Sequence, residues 1–468
     1  MVTQATRHRW LNEVTRWFPA VFCFCFLGVI LALWSTTGLL VYSIAVFLGA
    51  SLVLWRGPRR DTFSPLPLIL ALFVLSYSWQ LVLMKSNLDS FTRLFPVEGQ
   101  RIRAHAAWIG VVAVAAIAAM SLGVLSEIRP ARHVESSVDI SRERIAVPHR
   151  QFRFLAVTLV GVLLTLAYTI VAGGLRTILL NLHNRTQFLT GLNYLASGPL
   201  VIFAAAFSWF AVAPRSHMRL HACFLGISIV LTFLTGSKAN VALELGAIAI
   251  IFHYGVKRLA VPVLLLFFSV SVLGLTMYQL YFRSALPRGV PIEQVIAENG
   301  GLGGVPQEFA KNTFFGAQAL GVARDQFEFP SAESFGRTYV PLLSAPIPHS
   351  LYRTKPDAFA ETFTKSFAPA LAIEGTTYPA TGIGEFYVTG GVLGAVLGSL
   401  LVGVLVGYVY SRREVSTFGR ARYALILPLV PHFMRGESYG IVVLGATLLV
   451  PTWFILRGTE KRRLQRWQ

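Results

Sequence analysis

Charged residues are scarce in this chain. Asp, Glu, Lys and Arg make up only 13% of the 468 residues, whereas hydrophobic residues make up 54%, and the mean hydropathy is +0.60. This composition excludes an ordinary soluble fold, and the length excludes a single membrane anchor. We therefore expect a multi-pass membrane protein.

Cysteines are also few. Cys23, Cys25 and Cys223 all lie in apolar runs, and their spacing matches neither a metal site nor the disulfide framework of a secreted protein. We interpret them as packing residues. The first apolar run follows a basic N-terminus, but a second run comes almost at once and no small-residue cleavage site is evident, so we expect a retained anchor rather than a signal peptide.

Long apolar runs dominate the rest of the sequence. Most have about the 20 residues that a helix needs to cross the hydrocarbon core, and only helices satisfy their own backbone groups there without closing a barrel. We predict an all-α fold of about twelve transmembrane helices, with spans at 18–34, 36–55, 65–84, 106–126, 152–172, 190–213, 219–235, 238–254, 259–281, 386–410, 421–434 and 438–456.

The formal net charge of +19 follows the predicted topology. One set of alternate connections, together with both termini, holds most of the 41 basic residues but only a minority of the 22 acidic ones. The positive-inside rule places that set, and hence both termini, in the cytoplasm. Because topology explains the excess of positive charge, this excess gives no support to nucleic-acid binding.

One connection is long enough to be a structural element of its own. We divide the chain into an N-terminal transmembrane bundle of about nine helices (1–282), a large extracytoplasmic loop (283–385), and C-terminal transmembrane helices with a cytoplasmic tail (386–468). A long loop in a membrane protein is usually functional.

The loop contains a proline-rich, cationic ribbon (residues 346–356, P-I-P-H-S-L-Y-R-T-K-P). Its prolines restrict the backbone, which holds His349, Arg353 and Lys355 in place at low entropic cost. Fixed cations suit a fixed anion such as phosphate. A proline-braced surface turn with hydrated charges is the alternative interpretation.

Three more cations lie at predicted outer ends of spans. Lys238, in T-G-S-K-A-N, follows residues that can start a helix, where exposed N–H groups favour an anion. Arg283 and Arg435 lie where the positive-inside rule makes arginine less expected. A capped turn or an interface anchor would explain each one singly, so their convergence on one surface is a hypothesis.

Carboxyl and imidazole groups are candidates to accept a hydroxyl proton. We select His349 and Glu385, the latter in T-G-I-G-E-F-Y-V-T-G-G-V-L-G, although Glu385 would also suit a helix start. Secondary candidates are Glu244, an acid within a predicted span, Arg288 and Glu361.

These motifs resemble those of bacterial O-antigen polymerases, the Wzy-type polymerases of oligosaccharide repeat units. The ribbon is similar to the family's proline-arginine and lysine-proline element, with His349 where the family usually has arginine. L-T-G-S-K-A-N, the glycine-rich Glu385 stretch and the M-R-G around Arg435 resemble further motifs in the same order, over about residues 230 to 440.

The resemblance implies a GT-C-like glycosyltransferase of the inner membrane with a periplasmic active site. Such an enzyme moves a growing glycan from undecaprenyl pyrophosphate onto a lipid-linked repeat unit, at times with a chain-length regulator. Lys238, Arg283, Arg353, Lys355 and Arg435 would bind pyrophosphate, and His349 or Glu385 would activate the acceptor hydroxyl. No nucleotide pocket, metal or other cofactor is expected, and the sequence contains neither Gly-x-x-x-x-Gly-Lys-Ser/Thr nor Asp-x-Asp. An O-antigen ligase and a flippase or other transporter remain alternatives.

Overall fold

The computed structural model describes residues 4–56, 61–86, 99–127, 147–182, 192, 194–212, 218–298, 301, 313–327, 332–344, 347, 352, 354–373 and 377–457. Within these ranges every secondary-structure element is a helix. The all-α prediction is therefore confirmed for this part of the chain.

Among the described residues, nine helices are long and apolar enough to cross a membrane. This is the pattern of a multi-pass membrane protein. Each overlaps one of the twelve predicted spans, and the predicted total stays a prediction. The nine segments are Trp17–Trp34, Thr36–Val53, Pro65–Lys85, Ala106–Glu127, Arg150–Val171, Leu195–Val212, Val261–Leu280, Thr381–Ser411 and Ser438–Leu456.

The three other predicted spans have different outcomes. Met218–Leu234 is a shorter apolar helix, and Lys238–Gly255 is a helix whose buried residues include Lys238 and Glu244. The prediction of one continuous helix over 421–434 is wrong, because this stretch belongs to two helices, Thr417–Ile426 and Leu429–Arg435. Pro428 has no N–H to donate to the preceding turn, which interrupts the helical hydrogen bonds there.

Contacts divide the chain into two units. The first consists of Met1–Ile128, Pro306–Tyr410 and Leu429–Val443, and the second of Arg129–Val305, Ser411–Pro428 and Leu444–Gln468. The division predicted from the sequence follows hydropathy along the chain rather than contacts, and it stays a prediction.

The first unit is built around the apolar helix Ala106–Glu127, most of which is buried. Glycines let this helix approach Thr381–Ser411 closely, since a Cβ added at Gly403 would lie 2.1 Å from the carbonyl oxygen of Met120. The hydroxyl of Tyr410 also donates to Oδ2 of buried Asp61 at 2.8 Å. The unit's other helices are Gln4–Trp34, Thr36–Arg56, Pro65–Phe73, Val74–Ser78 (a π-helix), Trp79–Ser86, Gly99–Ala104, Gly316–Gln326, Ala332–Ser344, Phe359–Phe367, Pro369–Ile373 and Leu429–Arg435.

The second unit has the buried apolar helix Gly198–Val212 at its centre. A Cβ at Gly198 would lie 2.6 Å from the backbone nitrogen of Thr165, so glycine permits close packing against Val147–Val171. The unit's other helices are Leu175–Leu180, Leu195–Ser197, Met218–Leu234, Lys238–Gly255, Val261–Leu280, Tyr281–Ala285, Leu286–Arg288, Ile292–Glu298 and Thr417–Ile426. Helix Ser438–Leu456 begins in the first unit and ends in the second.

Candidate functional site

A broken helix carries Glu385. Helix Thr381–Ser411 is interrupted at Gly391, whose φ of 62° and ψ of −151° are accessible essentially to glycine alone. The hydroxyl of Thr389 donates to the carbonyl oxygens of Glu385 and Phe386, at 3.0 and 3.1 Å, just before the break. We call residues 381–390 the Glu385 half-helix.

The Glu385 carboxyl is buried, with 1% of the residue exposed. Its Oε2 accepts hydrogen bonds from the backbone N–H of Ser438, at 2.8 Å, and from the hydroxyl of the same residue. Its Oε1 has no hydrogen-bond partner among the described residues. A buried carboxyl oxygen without a donor is costly, so this atom is available to accept a proton or a hydrogen bond from a substrate.

Lys355 reaches the residue next to Ser438. Only 7% of Lys355 is exposed. Its Nζ donates to the carbonyl oxygen of Ile347 at 2.9 Å and to the hydroxyl of Tyr439 at 3.4 Å. The ammonium also lies 5.8 Å from the centre of the Tyr439 ring, within cation–π range. Lys355 thus contacts Ile347 of the same ribbon and joins the end of the ribbon to the start of helix Ser438–Leu456.

Glu437 supplies a second carboxyl beside Glu385. Its Oε2 accepts a hydrogen bond of 2.6 Å from the backbone N–H of Ala360, in the first turn of helix Phe359–Phe367. Burial raises the pKa of Glu437 to about 7; the Ala360 N–H partly opposes that rise, and the charge of Glu361 adds to it. The carboxyls of Glu437 and Glu385 repel each other when both are charged.

Tyr339 contributes a hydroxyl from helix Ala332–Ser344. Burial raises the pKa of Tyr339 to about 12; a hydrogen bond with Thr389 opposes the rise, and the charge of Glu385 adds to it. Tyr339 therefore stays a neutral hydrogen-bonding group near the Glu385 half-helix.

The other candidates of the first unit lie in different settings. Arg435 is half-buried at the last turn of helix Leu429–Arg435, two residues before Glu437. Glu361 is 2.8 Å from Lys365, in an ion pair whose side chains are 39% and 50% exposed, so this carboxylate is engaged at the surface. His349 and Arg353 lie outside the described residues.

Four predicted residues belong to the second unit. Buried Lys238 donates to Oε1 of Gln279. Glu244 is fully buried, and its Oε1 accepts from the hydroxyl of Thr232 at 2.7 Å. Arg283 lies in the π-helix Tyr281–Ala285, but its side chain is outside the described part. Exposed Arg288 pairs with Glu298 through two hydrogen bonds of 2.7 and 2.9 Å.

Convergence of Lys238 and Arg283 with Lys355 and Arg435 stays a prediction. Within the first unit, three sequence motifs do meet: the end of the ribbon, the Glu385 half-helix and the segment after M-R-G. These motifs are separated by up to 84 residues in the chain.

Glu437, Ser438, Tyr439 and Tyr339 were missed by the sequence reasoning. An acid and a hydroxyl residue directly before an apolar run, such as Glu437 and Ser438, are typical of a helix start. That pattern carries no information on a partner far away in sequence. The one usable signal was the acid Glu437 directly after R-G, at the predicted outer end of a span.

The sequence matches no protein-family model, no curated protein and no solved structure.

Proposed function

We propose that this chain is an inner-membrane glycosyltransferase that polymerises lipid-linked oligosaccharide repeat units. It transfers a growing glycan from undecaprenyl pyrophosphate onto a new lipid-linked unit at the periplasmic face. One observation carries this proposal: buried Lys355 and buried Glu385 contact two adjacent residues. Lys355 contacts Tyr439, and Glu385 contacts Ser438.

The chemistry needs one group that accepts a proton and others that stabilise a leaving diphosphate. The acceptor hydroxyl oxygen bonds to the anomeric carbon of the donor glycan, and the bond from that carbon to the carrier pyrophosphate breaks. Oε1 of Glu385 takes the hydroxyl proton, and the pyrophosphate leaves on its lipid carrier with both electrons of the broken bond. The burial of Oε1 and its lack of a partner among the described residues support this role.

Cations offset the charge that the pyrophosphate gains. Lys355 gives the first unit a positive charge at Tyr439, the residue after Ser438, and Arg435 adds another close in sequence. In this proposal Lys238, Arg283 and Arg353 also bind carrier pyrophosphate, and His349 remains the other candidate for the base. Membrane lipid and a chain-length regulator are the proposed partners.

The test uses the purified full-length chain in lipid nanodiscs. The probe is a set of undecaprenyl-pyrophosphate-linked repeat units extracted from cells that lack this chain, and the products are separated by size. We expect a ladder of multiples from the unchanged protein. Glu385→Gln should slow its formation about 100-fold or more, the usual loss for a general base, and Lys355→Ala should slow it as well.

Lys365→Ala is the matched control. Lys365 lies on the same loop, but its exposed ammonium is paired with Asp357 and Glu361, each at 2.8 Å, so its loss should leave the ladder unchanged. A normal ladder from Glu385→Gln would remove this residue as the base. In a parallel reaction with lipid A-core added, transfer only onto that acceptor would identify a ligase instead.

A further inference from the structure

Three consecutive residues after helix Leu429–Arg435 each contact a different element. Glu437 accepts from Ala360 in helix Phe359–Phe367, Ser438 donates to Glu385 in the Glu385 half-helix, and Tyr439 contacts Lys355 of the ribbon. We call these three residues the 437–439 segment. All the elements that it contacts belong to the first unit.

Glu437 supplies a helix cap that the local sequence lacks. Helix Phe359–Phe367 begins after Ala358, and alanine has no side-chain acceptor for the free N–H groups of the first turn. Glu437 provides that acceptor from 77 residues away, at 2.6 Å from the nitrogen of Ala360. A carboxylate in this position forms a short, charge-assisted hydrogen bond.

The capped turn lies close to Lys355 in the chain. Only four residues separate Lys355 from Ala360, and one of them is Pro356, which limits backbone freedom. Fixing Ala360 therefore restricts where Lys355 can lie. The position of Glu437 is otherwise unfavourable, since it is half-buried beside Glu385 and feels the charge of Glu361.

We propose that Glu437 is a positioning residue that docks the loop segment 355–360 onto the 437–439 segment and so holds Lys355 against Tyr439, the residue that follows the Glu385 partner Ser438. The consequence for catalysis rests on the proposed function, whereas the docking does not. Without the acceptor at residue 437, the first turn of helix Phe359–Phe367 is held only by the packing of residues such as buried Phe359, and we expect Lys355 to be exposed to solvent more often.

The test measures how fast a water-soluble amine-reactive ester modifies individual lysines of the full-length chain in nanodiscs, read by mass spectrometry. In Glu437→Ala, labelling of Lys355 should rise about tenfold, as expected when one charge-assisted hydrogen bond is lost. Glu437→Gln should resemble the unchanged protein, because the amide oxygen still accepts from Ala360.

Two other lysines act as internal controls. Lys365 is half exposed and should be labelled in every variant. Lys238 is buried in the second unit and should stay protected. Unchanged protection of Lys355 in Glu437→Ala would overturn the inference, and so would an equal rise at Lys238, since that result indicates general unfolding.

A second pair of variants covers the case in which Glu437→Ala cannot be purified. Glu437→Asp keeps the charge but is one methylene shorter, whereas Glu437→Gln keeps the length and loses the charge. We expect faster labelling of Lys355 in the Asp variant, and equal labelling in the two would contradict the inference. Labelling needs no glycan. If the unchanged protein makes no polymer while the variants are labelled as expected, only the proposed function is refuted.

Discussion

At the scale of single residues, Glu437 carries its charge at a free-energy cost. It is a half-buried acid next to a second buried acid, Glu385, and its main compensation is a backbone N–H. Acids in such surroundings are concentrated at functional sites, because burial raises the pKa of an acid toward neutral pH. Glu437 thus gives the first unit a group that changes charge near physiological pH.

This gives a prediction for stability as a function of pH. Burial raises the pKa of Glu437 from its ordinary value of 4.5 to about 7 in the folded chain, so the folded state binds the proton more tightly than the unfolded state. Stability from this group is therefore present below pH 4.5 and is lost as the pH rises to about 7.

Comparison with Glu437→Gln isolates this effect, since the other titrating groups are common to both proteins. Between pH 5 and pH 8 the unchanged chain should lose about 1–3 kcal/mol relative to the Gln variant. Thermal unfolding of the two proteins in nanodiscs at both pH values measures the difference. Melting temperatures that change in parallel would show that Glu437 does not titrate in this range.

At the scale of elements, the break in helix Thr381–Ser411 separates the Glu385 half-helix from the rest of this apolar helix. Gly391 adopts a conformation that disfavours any side chain, and Thr381 at the start of the half-helix also has a positive φ of 67°. Strained backbone of this kind persists where the surrounding structure holds it, often at functional sites. The half-helix therefore depends on glycine at position 391 in particular.

Two adjacent glycines make this testable. Gly391→Ala should destabilise the protein by about 1–3 kcal/mol and reduce glycan transfer, because alanine is strained in that conformation. Gly390→Ala is the control: Gly390 has no positive φ, and an added Cβ would meet no described atom within 4 Å. Melting temperature and transfer rate should be nearly unchanged in the control, and equal losses in both variants would contradict the role of the break.

The sequence predicted the long helices but few of the contacts. Apolar runs and their end signals gave the nine long helices, since burial in lipid is set by local composition. The break at Gly391 was missed because adjacent glycines in an apolar run also indicate close helix packing. The hydrogen bond from the backbone N–H of Ala360 to Glu437 could not be predicted, since every residue type except proline has this donor.

At the scale of the whole molecule, topology decides which compartment the site faces. The bias of lysine and arginine predicts that the loop 283–385 lies outside the cytoplasm and that the connection after helix Thr381–Ser411 lies inside it. A glycosyltransferase that uses undecaprenyl pyrophosphate at the periplasmic face requires this orientation.

Cysteine labelling tests the orientation. In a chain with Cys23, Cys25 and Cys223 replaced, Thr377→Cys and Val415→Cys each place one thiol at an exposed position. A membrane-impermeant maleimide should label the first in intact spheroplasts and the second only after permeabilisation. The reverse pattern would put Glu385 and Lys355 on the cytoplasmic side and would refute transfer at the periplasmic face.

The 437–439 segment also constrains how such a chain can vary over evolutionary time. Since neighbouring positions serve three separate partners, inserting or deleting one residue there would misalign all of them at once. A length change in the loop 283–385 that falls outside residues 355–360 leaves the spacing within the 437–439 segment intact. Descendants of this gene should therefore tolerate gaps in the loop more readily than in these three codons.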